Sequence, residues 1–577
     1  MRYVFKFLRP HVPRMILGFL VKFTGTIVEL ALPMILSFMI DDVVPTGNKT
    51  AIYLWGGVML VCTLVALFGN ITANRMAARV ARNTTEKLRS ELFRRISYLS
   101  SRQVDAFTIP SLESRLTSDT YNVHQMIGMI QRLGVRAPIL LIGGILITVM
   151  MEPVMTLVLV ATLPLITIVV YGVSRKGIPL YTALQEAIDR MTRIVRENAQ
   201  GIRVIKALTK EKSEKERYDA ANTDLTKREM KASLTMAVTN PLMNMFMNLG
   251  LVAVIVVGAY RVNGGYSDPG IILAFMTYFT LISNAMLSIT RMFTIISRAA
   301  ASAGRIAEVL DTPTDMEVQP APNQGVMTTR EYPAIEFRNV TFSYNGKKKD
   351  LDKISFVLPK GGTLGIIGPT GAGKSTLIQL LMRFYDPDEG EILIDGRDVR
   401  TIPREELAAK FGGAFQSDFL FADTIAENID FGRALTREQI ERAATLAQAM
   451  PFIQEKEGGF EHELTIKGAN LSGGQKQRML ISRALAGDPE ILVLDDSSSA
   501  LDYATDAALR QAIRENYAGK TTSVIVAQRV SSVLHAELIL VLEEGRITGA
   551  GTHDELLQSC SLYREISDSQ MGGAILD

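Results

Sequence analysis

The chain has 577 residues, enough for more than one domain, and pairs 47% hydrophobic with 21% charged residues at a mean hydropathy of +0.17. That apolar share is too high for an ordinary soluble enzyme and predicts one membrane part beside one soluble part. A net charge of +2 argues against a nucleic-acid partner, the two cysteines cannot build a disulfide framework, and the five histidines have no metal-ligand spacing.

In chain order, residues 1–13 predict a short amphipathic helix on the inner membrane surface, stopped by Pro10 and Pro13. The apolar run after Arg14 is too long for a signal-peptide core, and no small-residue cleavage site follows it. Apolar stretches at 15–40, 52–74, 134–151, 153–175, 241–262 and 270–296 meet the need for about 20 helical residues per bilayer crossing. Six crossings put both termini on one side. Arg75, Arg79, Arg82, Lys87 and Arg89 follow the second span and Arg175, Lys176, Arg190 and Arg193 the fourth, whereas the opposite connections, such as Glu152-Pro153, are short and poor in basic residues. By the positive-inside rule both termini are cytoplasmic, in a multi-pass cell-membrane protein, with a bacterial plasma membrane as the expected location.

The basic segments 75–133 and 176–240 keep helical periodicity. A helix of about 30 residues out and another back reaches about 45 Å beyond the membrane. Breaks within Thr108–Leu116 and Glu197–Lys206 mark the expected tips. Residues 1–310 therefore predict a six-helix all-α transmembrane domain with long intracellular helical loops. Residues 311–333, with several prolines and little periodicity, read as a linker. Residues 334–577, where short β-rich runs alternate with helical stretches, predict an α/β domain.

That domain carries the chemistry. Gly368-Pro369-Thr370-Gly371-Ala372-Gly373-Lys374-Ser375-Thr376 follows an apolar run and opens a helix, the context that makes a Gly-x4-Gly-Lys-Ser phosphate loop specific. Backbone N–H groups and a helix N-terminus cradle phosphates there; Lys374 is assigned to the β- and γ-phosphates of ATP and Ser375 to Mg²⁺. Ile491-Leu492-Val493-Leu494-Asp495 predicts a buried parallel strand ending in a carboxylate that holds Mg²⁺ through water. Between them, Leu471-Ser472-Gly473-Gly474-Gln475 opens a helix as a second anion site.

With that Leu-Ser-Gly-Gly-Gln, essentially the whole chain resembles an ABC transporter, and its order of parts resembles an ABC exporter half-transporter of the type IV fold, similar to multidrug exporters. The resemblance implies that Tyr344 stacks on adenine, that Gln416 touches Mg²⁺ and links to the membrane part, and that Ser499-Ala500-Leu501-Asp502 crosses a dimer interface. It implies two such domains sandwiching two ATP molecules, each between the phosphate loop of one chain and the Ser-Gly-Gly of the other. The segments near Ser111 and Gly201 would then carry domain closure to the spans.

Two positions depart from the family. Asp496 stands where the family has the Glu that acts as general base, which withdraws the carboxylate by about 1.5 Å, one C–C bond. Gln528 stands where a histidine meets the γ-phosphate; it can donate a hydrogen bond but carries no imidazolium charge. The expectation is a degenerate site at this chain's own phosphate loop, and a heterodimer whose partner has the intact Glu and His and borrows this chain's Ser472-Gly473-Gly474-Gln475. The alternatives are a homodimeric lipid or peptide translocator and an ATP-gated regulatory membrane protein. Lys22 and Glu29, two turns apart on one face, Asn244 and Asn248, and Asn284 and Arg291 are candidates to line a cavity for a small amphipathic drug or lipid, and they fit helix–helix packing equally well.

Overall fold

The computed structural model describes residues 1–320, 332–416, 419–497 and 500–571. The middle of the expected linker and Ser499 therefore lie outside the described residues. The chain divides into two compact units, Met1–Ser97 with Pro110–Thr312, and Tyr98–Ile109 with Pro313–Asp577.

The helices, in chain order, are α1 (Arg2–Leu8), α2 (Val12–Phe38), α3 (Lys49–Ser97), α4 (Ser101–Phe107), α5 (Ile109–Ser114), α6 (Thr120–Met151), α7 (Pro153–Gln200), α8 (Ile202–Ala207), α9 (Glu211–Ala237), α10 (Thr239–Asn263) and α11 (Pro269–Asp311). The 49 residues of α3 extend about 74 Å, more than twice the ~30 Å hydrocarbon core of a bilayer. Its two halves differ as that length requires. Near its start Tyr53, Leu54, Leu60 and Phe68 are exposed, as on a lipid-facing helix. Further on it buries Ala77, Val80, Ala81, Leu88 and Leu92, an apolar stripe at helical spacing, and packs on α6. The first unit's core joins Leu30, Leu140, Met155, Leu159, Phe275 and Tyr278. The Tyr278 hydroxyl donates to the Leu30 carbonyl at 2.7 Å and ties α11 to α2.

Among the described residues, four helical stretches are long and apolar enough to cross a membrane: Lys49–Ser97, Ile109–Met151, Glu211–Asn263 and Pro269–Asp311, with Pro153–Leu165 a shorter apolar stretch. The N-terminus departs from expectation at Pro13. It sits in the first turn of α2, where its missing N–H would have had no helical partner, so it begins a helix instead of ending one. The 3₁₀ segment Arg9–His11, which contains Pro10, separates α1 from α2.

The first expected tip, residues 108–116, contains the observed break. Ser111 lies within α5, whose Pro110 occupies a tolerated early position. The chain breaks at Thr108, with φ +65°, just after α4. It is α4 that belongs to the second unit. Ser100 caps α4 through a reciprocal bond with Gln103 and donates to Asp315 at 2.7 Å, Gln103 donates to the Pro313 carbonyl at 2.7 Å, Arg102 pairs with Asp388 at 3.7 Å, and Tyr385 donates to Asp105 at 2.6 Å. At the second tip, Gly201 separates α7 from α8 as the sequence predicts.

In the second unit β1 (Ile335–Phe342), β2 (Leu351–Leu358), β4 (Glu389–Ile394) and β5 (Arg397–Asp398) form an antiparallel sheet ordered β2-β1-β4-β5. The other sheet runs β10-β9-β3-β8-β7-β6, from β3 (Thr363–Ile367), β6 (Phe411–Ala414), β7 (Ile491–Asp495), β8 (Thr522–Val526), β9 (Leu538–Glu543) and β10 (Arg546–Gly551). Strands β9, β3, β8, β7 and β6 are mutually parallel, and the edge strand β10 is antiparallel. Runs such as Ile491–Asp495, buried along their whole length, suit a parallel sheet covered on both faces. In such sheets ligands bind beyond the carboxyl ends of the strands.

Candidate functional site

The phosphate loop leaves the end of β3 and enters α12 (Lys374–Leu381). Two glycines are dictated by geometry. Gly368, at φ +153°, would place a Cβ 2.1 Å from the Leu542 carbonyl oxygen; Gly373, at φ +97°, would place one 2.7 Å from the Leu351 side chain. Lys374 Nζ donates to the carbonyls of Gly368 and Pro369 at 2.8 and 2.9 Å, so the ammonium lies across its own loop. Burial lowers the pKa of Lys374, opposed by the charges of Asp495 and Asp496. Replacing it, Lys374→Ala, removes the one cation of the loop and should weaken binding of a fluorescent ATP analogue at least ~10-fold, since a hydrogen bond to a charged group is worth about 1.5–3 kcal/mol.

β7 pairs with β8 in a register that sets Asp495 opposite Val526. This brings the end of β7 to the residues following β8. Thr370, Gly371, Lys374, Ser375, Gln416, Asp495, Asp496 and Gln528 then surround one pocket of about 310 Å³. Asp495 is 6% exposed; its pKa is raised by burial, with the Ser375 hydrogen bond and Lys374 lowering it and Asp496 raising it further. A hydroxyl hydrogen-bonded to a buried carboxylate, with a second carboxylate adjacent, is a donor set suited to Mg²⁺, whose remaining ligands are water and phosphate oxygens. When bound there, the ion would neutralise phosphate charge. Because the carboxyl pKa lies above its ordinary value, protons compete with the cation in the acid range. Mg²⁺–nucleotide affinity, read by calorimetry, should therefore rise with pH and level off once Asp495 is ionised.

Asp496 has an arrangement that its sequence neighbours do not reveal. At φ +49° it turns sharply out of β7, and its N–H donates to the Val526 carbonyl at 3.0 Å. Its Oδ2 accepts from Gln528 Nε2 at 2.7 Å and from Gln416 Nε2 at 3.1 Å. Gln416 thus bonds the carboxylate at 496. Burial raises the Asp496 pKa, opposed by the Gln528 bond, Lys374 and Arg529. Sequence reasoning passed over Arg529, which stacks over the Tyr503 ring at 4.6 Å, and Asp350, which lines the pocket and accepts from the Tyr344 N–H at 3.0 Å.

Tyr344 presents a half-open ring beside Phe342 and Tyr385, edge-on at 4.9 and 5.2 Å, and its hydroxyl donates to Gln379 at 2.5 Å. Pro369, Ala372 and Thr376 complete the loop; Ala372 is buried, and Thr376 receives a longer 3.4 Å contact from Tyr344. The signature residues lie elsewhere. Ser472 caps the helix Gly473–Leu485, accepting from the Gln475 N–H at 3.3 Å while Gln475 Oε1 accepts from the Ser472 N–H at 2.9 Å. Leu471 is buried beneath them, and Gly473 and Gly474 approach Ala500. Asp502 caps the helix Tyr503–Tyr517 through Thr505, whose bonds lower its pKa. None of these residues lines the pocket around Lys374.

Residues 15–286 match the ABC transporter transmembrane region, and residues 351–499 match the ABC transporter family. The chain is 35% identical over 574 residues to the uncharacterized ABC transporter ATP-binding protein YfiB of Bacillus subtilis (strain 168), covering 99% of each chain. This chain belongs to the ABC transporter family. This ABC transporter is also 33% identical to the uncharacterized ABC transporter ATP-binding protein Rv1273c of Mycobacterium tuberculosis (strain ATCC 25618 / H37Rv), over 98% of this chain and 97% of that one. Its fold is similar to that of a bacterial Atm1-family ABC exporter with ATP bound, at a TM-score of 0.78 and 26% identity over 97% and 98% of the two chains. The chain is thus an ABC half-transporter, a multi-pass membrane protein with one helical membrane region and one ATP-binding domain.

The sequence candidates in the membrane unit fare unevenly. Lys22 and Glu29 do not pair. Lys22 donates to Asn70 and Asn74 at 2.7 and 3.2 Å, and Glu29 takes a bidentate bond from Arg136, at 2.5 and 3.2 Å. The seven-residue spacing put both on one face of α2, but polar side chains on α3 and α6 reach each of them first. Asn244, Asn248, Asn284 and Arg291 are exposed.

Proposed function

We propose that this chain is one half of a heterodimeric ATP-driven exporter of amphipathic drugs or lipids, with six membrane spans and both termini on the cytoplasmic side of a bacterial plasma membrane. Its own nucleotide site, built on Lys374, Ser375 and Asp495 for ATP and Mg²⁺, binds more effectively than it hydrolyses. The observation that carries this reading is the bond from Gln528 to Asp496. A general base must lie within about 2.6–3.2 Å of the proton it takes, directly or through one water. Here the shorter carboxylate is held by two neutral amides, and Gln528, which faces it from just beyond β8, carries no charge to place on a γ-phosphate.

The intact Ser472-Gly473-Gly474-Gln475, standing apart from the chain's own pocket, is what a half-transporter would lend to a partner with the catalytic Glu and the histidine. The bacterial exporter with ATP bound supports ATP as the ligand. ATPase measurements on the purified chain alone and with its co-purifying chain test the pairing. Slow turnover alone and at least ~10-fold faster turnover in the mixed complex is the expected result. Robust hydrolysis by the chain alone would instead make it a homodimer.

A further inference from the structure

Within the membrane unit, α2, α3 and α6 form an open polar cavity of about 440 Å³, lined by Lys22, Asn70, Asn74, Arg132 and Arg136 with Met129 and Leu133 as its apolar wall. That volume lies in the range of small-molecule sites, about 300–1,000 Å³. Its charge is unbalanced. Arg136 is neutralised by Glu29, at 2.5 Å. Lys22 is 3% exposed, and its ammonium donates to the neutral amides of Asn70 and Asn74 with no ion pair among the described residues. Arg132 donates to the Gly128 carbonyl of its own helix at 3.1 Å and forms no ion pair among the described residues.

Among the described residues neither Lys22 nor Arg132 forms an ion pair, and cationic residues inside a membrane domain mark functional pathways. Lys22 lies 16 residues before the end of α2 and Arg136 15 residues before the end of α6. At 1.5 Å per residue this is about 22–24 Å from those ends, at the margin of a ~30 Å hydrocarbon core. On the proposed spans 15–40 and 134–151, Lys22 lies seven residues into the first and Arg132 just before the second, which puts the cavity toward the cytoplasmic end of both.

We propose that this cavity binds the anionic group, a phosphate or carboxylate, of an amphipathic ligand, with Lys22 and Arg132 as its charged contacts and the Asn70 and Asn74 amides holding Lys22 in place. The same chemistry is offered by an anionic membrane lipid and by an acidic transported solute. The proposal rests on the reading of these helices as membrane-spanning and narrows the ligand of the exporter to an anionic amphiphile.

The test uses the full chain in nanodiscs of phosphatidylcholine, with a pyrene-labelled fatty acid as probe and its methyl ester as the neutral control. The acid is expected to bind and the ester to bind at least ~10-fold more weakly, with Lys22→Met or Arg132→Gln removing that difference and Lys22→Arg retaining it. Equal binding of acid and ester, or unchanged preference in the Lys22→Met/Arg132→Gln double variant, would overturn the proposal. Phosphatidylglycerol in the disc that displaces the probe assigns the site to a lipid headgroup; probe that stays bound assigns it to a solute. The assay needs neither ATP nor a partner chain, so its failure leaves the export reading intact, and absence of ATP-dependent transport leaves the site intact.

Discussion

Asp496→Glu combined with Gln528→His should raise hydrolysis at this chain's own phosphate loop by about 100-fold, the rate cost that roughly 1 Å of misplacement carries. The two changes act together because the two side chains touch. Gln528 Nε2 lies 2.7 Å from Asp496 Oδ2, and Gln416 approaches the same oxygen at 3.1 Å. A Glu at 496 with Gln528 left in place gains the missing methylene, yet the amide still competes for its oxygen. A His at 528 with Asp496 left in place supplies a cation to the phosphate but no base at the right reach. Each single variant should therefore gain much less than the double, and the excess in the double measures the coupling. The readout is loss of the γ-phosphate from nucleotide cross-linked to this chain, which excludes the partner's turnover.

The second large effect lies at the signature. Gly474→Asp sets a carboxylate at the helix N-terminus where the account places the partner's γ-phosphate. A Cβ there would meet the Ala500 carbonyl at 3.2 Å and Leu501 at 3.7 Å, close but able to be accommodated by a small shift. Turnover of the assembled complex should fall by about 100-fold or more, as when an aimed donor to a transition state is lost. ATP binding at this chain's own loop should persist, because the pocket around Lys374 contains no signature residue. Ser472→Ala is a less clean probe, since Ser472 also caps the helix Gly473–Leu485 and its loss costs about 1 kcal/mol of stability.

How far the sequence reached follows from how local each feature is. The phosphate loop, β3 before it and α12 after it are written in consecutive residues, and Asp495 is the last residue of an unbroken apolar strand; all could be read without a partner strand. Gly368 and Gly373 sit where φ is positive and a Cβ would collide. The Asp496–Gln528 bond joins residues 32 positions apart and exists only because β7 and β8 are neighbours in register. The first tip, like the phosphate loop, was legible in consecutive residues: the backbone turns at Thr108 and Pro110 sits early in the helix that follows, both within the stretch 108–116. Lys22 and Glu29 shared a helix face, but their choice of partners was made by Asn70, Asn74 and Arg136 on other helices. Arg132 and Arg136, one turn apart on α6, were the available signal for the cation-lined cavity, and the span drawn from residue 134 cut between them.

The central claim is that this chain's phosphate loop retains ATP while its partner's turns it over. Photolabelling the working complex with 8-azido-ATP, carrying label on the α- or the γ-phosphate, reads each chain separately. This chain is expected to keep both labels through many turnovers while the partner chain keeps only the α-label. Loss of the γ-label from this chain at the rate of overall turnover would contradict it.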